Sequence, residues 1–427
     1  MSLISTLQNH LRGLDHQTYA ILRQVGHMVK DLYNSALYIQ RQRFFSTGNI
    51  YSQSTLFKQV KTSSQYLCLS SDLAQQTLIK VNQNFSSFFK LLKKKKNGKY
   101  KPKIRLPHYL KKDGFYLFSF ISRQFRASCP DCGDDCIRLS LGLRGKASTG
   151  KRYIHIPAPT EVCYLEELQP RSIRILPRYD ARYFEIDYIY DIEPYQRSKP
   201  AIPDSYLSID LGLDNFATCI TTNETAFIID GRAIKSYNRW WNKYKSKYQS
   251  RINKQGIVGM TRRMARLQQK RRYVIDNYLN HVVNYIIQHC LDNQIETIVV
   301  GEWGDMKRNL KMRKKVGQLF QTLPYGRLKQ KLRYKADVNQ IQIEFPEESY
   351  TSQDCFNCGI RRKANRVRRG LYQCIKCGIE MNADINGACN IMKKVAPKRV
   401  INQLVDSLRG SSGGITPPSR IQLADFV

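Results

Sequence analysis

Apolar residues recur at helical spacing from Val29 to Phe45 and again from Leu73 to Leu92. In the second stretch Leu73, Leu78, Val81, Phe85, Phe88 and Phe89 share one face, the pattern of an amphipathic helix. Residues 1–28 carry no comparable signal. From Phe115 to Asp191 the period shortens to two, in runs at Phe115–Phe120, Ile137–Leu143, Tyr153–Ile156, Ser172–Leu176 and Phe184–Ile189. Gly, Pro and Ser clusters separate these runs, which predicts a β-rich module. Pro194, Pro200 and Pro203 then place a domain boundary near 195–205. Beyond it, Tyr206–Ile209, Phe216–Thr221 and Ala226–Ile229 read as a three-strand meander, and Tyr278–Leu291 as a helix. Thr297–Val300 is a short buried strand ending at Gly301-Glu302.

Charge changes this picture. The 427 residues carry 70 Lys and Arg against 34 Asp and Glu, a net charge of +36, which points to a polyanionic partner. Nucleic acid fits, because each neutralised phosphate releases condensed counterions. Between Gly231 and Ile275 there is no acid, while Arg239, Lys243, Lys247, Arg262, Arg263, Arg266, Lys270 and Arg271 are among the bases, with Tyr237, Trp240, Tyr244 and Tyr248 interleaved. That excess favours a phosphate-facing surface. A second basic run, Lys93, Lys94, Lys95 and Lys96, is either a phosphate-tracking surface or a solvated linker. No long apolar run suggests a leader or membrane span, so the chain reads as soluble and cytoplasmic.

Cysteine spacing supplies the first chemistry. Cys355-x-x-Cys358 and Cys374-x-x-Cys377, each followed by glycine, are 15 residues apart. Two tight turns of this kind present four thiolates to one structural Zn²⁺, with no open position for substrate. Arg361, Arg362, Lys363, Arg366, Arg368 and Arg369 lie in the connecting loop. A second group, Cys129, Cys132 and Cys136, lacks a clear fourth ligand; His155 or Cys163 would have to complete it.

Three carboxylates come next. Asp210 and Glu302 stand at strand ends, and Asp384 opens the helix-like run Asp384-Ile385-Asn386-Gly387-Ala388-Cys389-Asn390-Ile391. Brought together at one sheet edge, they could hold two Mg²⁺ ions for phosphodiester hydrolysis. Asp214 reads as a solvated turn residue and Asp305 as incidental.

These segments carry a resemblance. Leu207-Ser208-Ile209-Asp210-Leu211-Gly212, Val299-Val300-Gly301-Glu302, Tyr350-Thr351-Ser352-Gln353, the two CxxCG turns and the Asp384 helix together look like the TnpB family. That family comprises transposon-associated, RNA-guided DNA endonucleases related to the type V CRISPR nucleases. The resemblance implies a multidomain α+β chain with an RNase H-like (RuvC) α/β catalytic core, an inserted zinc ribbon, and an N-terminal β-rich wedge domain carrying a helical recognition module. In residue terms this means 1–28 as the first part of the wedge, 29–110 as the helical module and 111–200 as the rest of the wedge. The core would span 201–350, with a basic helical insertion at 231–291, and resume at 381–396 after a ribbon at 351–380. Residues 397–427 would form a flexible tail. Asp210, Glu302 and Asp384 would be the catalytic, Mg²⁺-binding triad, with a guide RNA and a double-stranded DNA target as partners and no membrane. A nuclease-silent guided repressor, a strand-transferring transposase on the same fold, and a structural RNA-binding protein are the competing readings.

Overall fold

The computed structural model describes residues 3–98, 100, 102–129, 133–158, 169–302, 317, 322–368, 370–410 and 418–423. The chain divides into two compact units, Met1–Glu193 with Met260–Ala265, and Pro194–Gly259 with Arg266–Val427.

The first unit starts with strand β1 (Leu3–Leu11), followed by a helix over His16–Thr47 and another over Ser71–Lys96. The period-3.6 pattern places the first helix start at 29, yet the structure starts it thirteen residues earlier, at His16. The reason is local: the Asp15 carboxylate accepts from the Thr18 backbone N–H at 2.8 Å, a side-chain N-cap. The helix then buries Ile21, Leu22, Val25 and Val29 on the same face. Leu73, Leu78, Val81, Phe85 and Phe88 of the later helix are also buried, and Phe44 sits 5.9 Å edge-on to Phe88.

Strands β2 (Phe118–Ile121), β6 (Ser172–Arg178) and β7 (Tyr183–Ile192) join β1 in a sheet ordered β1-β7-β6-β2. Strands β3 (Phe125–Cys129), β4 (Gly133–Ser140) and β5 (Tyr153–Pro157) make a separate antiparallel sheet. The run expected to stay extended to Leu143 stops at Ser140 and turns into a helix at Gly142–Thr149, where Gly142 takes φ 71°.

The second unit is built on one six-stranded sheet. Its strands are β8 (Tyr206–Leu211), β9 (Asn215–Thr221), β10 (Ala226–Asp230), β11 (Thr297–Val300), β12 (Gln342–Glu344) and β15 (Ser419–Ile421), ordered β12-β11-β8-β9-β10-β15. β8, β9 and β10 form an antiparallel meander, whereas β11 lies parallel to both β8 and β12. A separate antiparallel pair, β13 (Leu371–Gln373) and β14 (Glu380–Asn382), lies between β12 and β15 in the chain. Side chains alternate across the sheet. Leu207, Ile209 and Leu211 join a core with the Arg262–Asp292 and Tyr325–Val338 helices, while Tyr206 and Val299 face a second core under the Ala383–Met392 and Lys398–Gly410 helices. The Gly- and Pro-rich composition of 397–427 predicts a flexible tail. Instead Val400, Ile401 and Leu404 are buried in that second core, and Ser419–Ile421 pairs parallel with β10. Among the described residues no helix is long and apolar enough to cross a membrane.

In the first unit, fully buried Gln40 donates to Tyr51 O at 3.0 Å and to Asn82 Oδ1 at 2.6 Å, and accepts from Tyr51 N at 2.8 Å. Gln40→Leu strands these groups and is expected to cost about 2–4 kcal/mol in a urea unfolding experiment.

Candidate active site and metal centre

Asp210 is carried on the strand of the sheet that faces the Ala383–Met392 helix, two residues after Ser208. Ser208 Oγ donates to Ala388 O at 2.6 Å, which draws helix and strand into close contact. Gly387 is what allows it: a Cβ there would lie 2.6 Å from Asp210 Oδ2. Burial under the helix pushes the Asp210 carboxyl well above its ordinary range. The charges of Glu348 and then Asp384 raise it further, while Arg366 and the Leu211 N–H oppose them.

Asp384 opens the helix, whose N-terminus is capped by Asn382 accepting from Asp384 N at 2.9 Å and Ile385 N at 3.3 Å. Both Asp384 oxygens are held. Asn215 Nδ2 donates to Oδ2 at 2.6 Å, and Arg366 Nη2 to Oδ1 at 2.8 Å. Asn215 in turn accepts from Arg420 at 2.9 Å.

Glu302 sits differently. Its side chain is 56% exposed and lies 3.8 Å from Lys329 Nζ. Its backbone is tied to the segment after β12, donating to Pro346 O at 2.8 Å and accepting from Glu348 N at 3.1 Å. That pairing brings Glu348, unnoticed in the sequence, to Asp210; a side chain at Gly301 would collide with the Glu348 carboxylate. The available signal was an acid just past a strand that runs parallel to the Glu302 strand. Asp214, expected to be a solvated turn residue, is 17% exposed and paired with Lys235 at 2.5 Å. Asp305 lies outside the described residues.

The four cysteines Cys355, Cys358, Cys374 and Cys377 place their sulfurs within 4.8 Å of one another, and among the described residues they are the one group that does so. Each CxxCG turn closes alike: Gly359 N donates to Cys355 O at 2.9 Å and Gly378 N to Cys374 O at 2.8 Å. Both glycines need positive φ, 73° and 70°. Burial raises the Cys374 thiol, but the Cys377 and Lys376 amides and the neighbouring thiols bring it down to about 7, suited to a thiolate ligand.

The ribbon is fastened to the Asp384 helix by two buried asparagines. Asn386 accepts from Phe356 N at 3.0 Å and donates to Asp354 O at 2.8 Å, and Asn390 donates to Thr351 O at 3.0 Å and Asp354 O at 2.7 Å. Of the second cysteine group, Cys136 is buried and disulfide-bonded, not a free ligand. Cys132 and Cys163 lie outside the described residues.

The basic candidates fall into two kinds. Lys93, Lys94, Lys95 and Lys96 are exposed in the last turn of the Ser71–Lys96 helix. Arg239, Lys243, Lys247, Arg262, Arg263, Arg266 and Lys270 are exposed as well. Arg271 is half-buried: it donates to Asn238 Oδ1 at 2.8 Å and lies 4.3 Å over the Trp241 ring, so it holds two helices together. On the Arg232–Lys254 helix, Tyr237, Trp240, Tyr244 and Tyr248 form a row with centroids 5.7, 5.7 and 6.5 Å apart, the last two pairs stacked, and Trp240 is 50% exposed. Arg369 lies outside the described residues.

Two outcomes follow from this geometry. Because folding raises the Asp210 pKa above that of the unfolded chain, the folded state binds the proton more tightly. Stability from this group is present at low pH and is lost as pH rises through the folded pKa. Asp210→Asn is therefore expected to raise the Tm of the metal-free protein near pH ~7 by a few degrees, at roughly 2–4 °C per kcal/mol, with the gain vanishing near pH ~4. Differential scanning fluorimetry in EDTA checks it. Cys374→Ser is expected to reduce bound zinc from about one ion per chain to a small fraction, measured by elemental analysis.

Two family models match the chain. One, described as a probable transposase (OrfB_IS605), covers residues 187–308, and the other, the Cas12f1-like TNB domain, covers residues 325–391. A TnpB-like protein (ORF457) of Acidianus two-tailed virus is 24% identical over 414 residues, which is 90% of this chain and 85% of the viral one. The Cas12f1 endodeoxyribonuclease of Sulfoacidibacillus thermotolerans is 40% identical over 77 residues, 18% of each chain. A solved Cas12f1–sgRNA–target DNA complex contains a chain with the same fold: TM-score 0.61 at 16% identity, covering 91% of this chain and 98% of that one. With two adjacent family matches across its second half and a viral relative along most of its length, this chain is similar to TnpB-type proteins.

Proposed function

We propose that the chain is an RNA-guided, Mg²⁺-dependent DNA endonuclease associated with a transposon, which cuts target DNA beside a short adjacent motif. The observation that carries this reading is the placement of Asp210 beside Asp384 and Glu348, on a sheet whose strand order suits an RNase H-like core. The names of the relatives, one an endodeoxyribonuclease, support the same direction.

The chemistry of the donor set suits Mg²⁺. The donor set is oxygen-only, as a hard cation requires, and Gly387 and Gly301 leave room for the Asp210 and Glu348 carboxylates. Asp210, Asp384 and Glu302 would hold the ions, with Glu348 adding charge. When bound, Mg²⁺ supplies activation of the attacking water and stabilisation of the leaving oxygen. The chain's own groups do the rest. Asn215 fixes one Asp384 oxygen, and the Arg366 guanidinium, bonded to the other, offsets negative charge at that carboxylate. The ribbon's bonds to Asn386 and Asn390 hold that arginine's loop in place. Sequence specificity comes from guide–target base pairing, with the exposed bases of both units tracking phosphates.

The test uses protein co-expressed with its native flanking DNA, its bound RNA sequenced, and a plasmid matched to that RNA. Guide-matched linearisation in Mg²⁺, lost with EDTA and reduced at least about 1,000-fold by Asp210→Ala while RNA binding persists, is the expected result. Cleavage by Asp210→Ala sinks the assignment. Tight guided binding without a break moves the reading to a repressor, and joined transposon ends move it to a transposase.

A further inference from the structure

β15 lies far along the chain from the strand it pairs with: Ser419 stands opposite Phe227, and Ile421 opposite Ile229. Ile421 packs against the core of the second unit, and Arg420 between them reaches two polar groups. Arg420 Nη1 lies 3.3 Å from Asp230 Oδ2, and Nη2 donates to Asn215 Oδ1 at 2.9 Å. The Asn215 amide on its other side donates to Asp384 Oδ2 at 2.6 Å.

An asparagine between a guanidinium and a carboxylate has one satisfactory orientation. Its oxygen must face the cation and its NH₂ the anion; a flip sets donor against donor and acceptor against acceptor. Arg420 therefore fixes the direction in which Asn215 donates. Such a charge-assisted relay holds the carboxylate more firmly than an unsupported amide would. Asp230, 9% exposed and also bonded by Arg232 at 2.8 Å, anchors the arginine from behind.

We propose that the C-terminal strand belongs to the catalytic apparatus: Arg420 is a positioning residue that, through Asn215, orients Asp384 for metal binding. The inference rests on Asp384 being a catalytic metal ligand. It gives β15 a purpose beyond covering a sheet edge, since Arg420 completes the setting of the Asp384 carboxylate.

The test compares the full-length wild-type complex with Arg420→Ala, Arg420→Lys and Ile421→Asp, the last undocking β15 without altering the arginine. Two readouts are taken: Mn²⁺ affinity by calorimetry on the protein–RNA complex, and the Mg²⁺ concentration giving half-maximal plasmid cleavage. Removing a group that orients a metal ligand commonly weakens binding about 10–100-fold. Arg420→Ala and Ile421→Asp are each expected to weaken Mn²⁺ binding about tenfold and raise the Mg²⁺ requirement equally, with RNA binding unchanged. Arg420→Lys is expected to recover part of the loss. Wild-type metal affinity in both Arg420→Ala and Ile421→Asp overturns the proposal, as does a loss of rate that no metal concentration restores and that Arg420→Lys does not relieve. If the wild-type complex binds Mn²⁺ but never cuts, the nuclease reading fails while the positioning claim stands or falls on the calorimetry alone.

Discussion

A carboxylate pressed beneath a helix is unfavourable unless something positive comes to it. Asp210 is in that position: the helix bearing Gly387 crosses over it, and two further acids act on it. Much of the second unit serves this arrangement. β8 is central in its sheet, so the aspartate is held by pairing with β9 on one side and β11 on the other. Ser208 bonds the helix from the same strand face, and Gly387 leaves out the Cβ that would expel the carboxylate. A site that is uncomfortable without a cation gives a cation a large differential interaction to satisfy.

The four-cysteine ribbon is joined to this site by more than chain continuity. Two asparagines on the Asp384 helix bond its entry loop, and its Arg366 reaches the Asp384 carboxylate. The spacing Asp384-x-Asn386-x-x-x-Asn390 thus combines two tasks on one helix. Asp384 at the N-terminus faces the candidate site, while Asn386 and Asn390, one turn apart, hold the entry loop of the four-cysteine ribbon. A metal held by the four thiols would order a loop whose arginine reaches the Asp384 carboxylate.

Features set by short-range spacing were readable from the sequence, and features set by distant pairing were not. The four thiols follow from two CxxCG turns, each closed within its own five residues. Asp210 and Asp384 could be assigned to a strand end and a helix start because the local patterns around them are unambiguous. Glu348 could not, because its closeness to Asp210 depends on parallel pairing between Glu302, just past β11, and Glu347, just past β12, a register that no local pattern specifies. Residues 1–28 carry no comparable periodic signal, and the helix start at His16 depends instead on the Asp15 cap over the Thr18 N–H. The C-terminal strand was missed for a different reason: Ser419–Ile421 is too short to signal extension, and it is extended because the edge of β10 offers it hydrogen bonds. Arg271 reads as one more base in a basic run, and its use against Trp241 emerges only from packing.

The N-terminal strand has a consequence for synthesis. β1 pairs along nine residues with β7, so that Leu3 meets Ile192 and Leu11 meets Phe184. At roughly 5–20 residues per second on the ribosome, the earliest strand waits on the order of 10–40 s for its partner. During that interval it is an open edge, able to pair with any other extended chain. Its composition limits the hazard: Ser5, Thr6, Gln8, Asn9 and His10 interrupt its few apolar positions, leaving no run sticky enough to recruit a neighbour. The strand is therefore polar enough to wait safely, and it relies on β7, whose Tyr188 and Ile186 are buried in the folded core, to supply the apolar packing that secures it once the partner has been made.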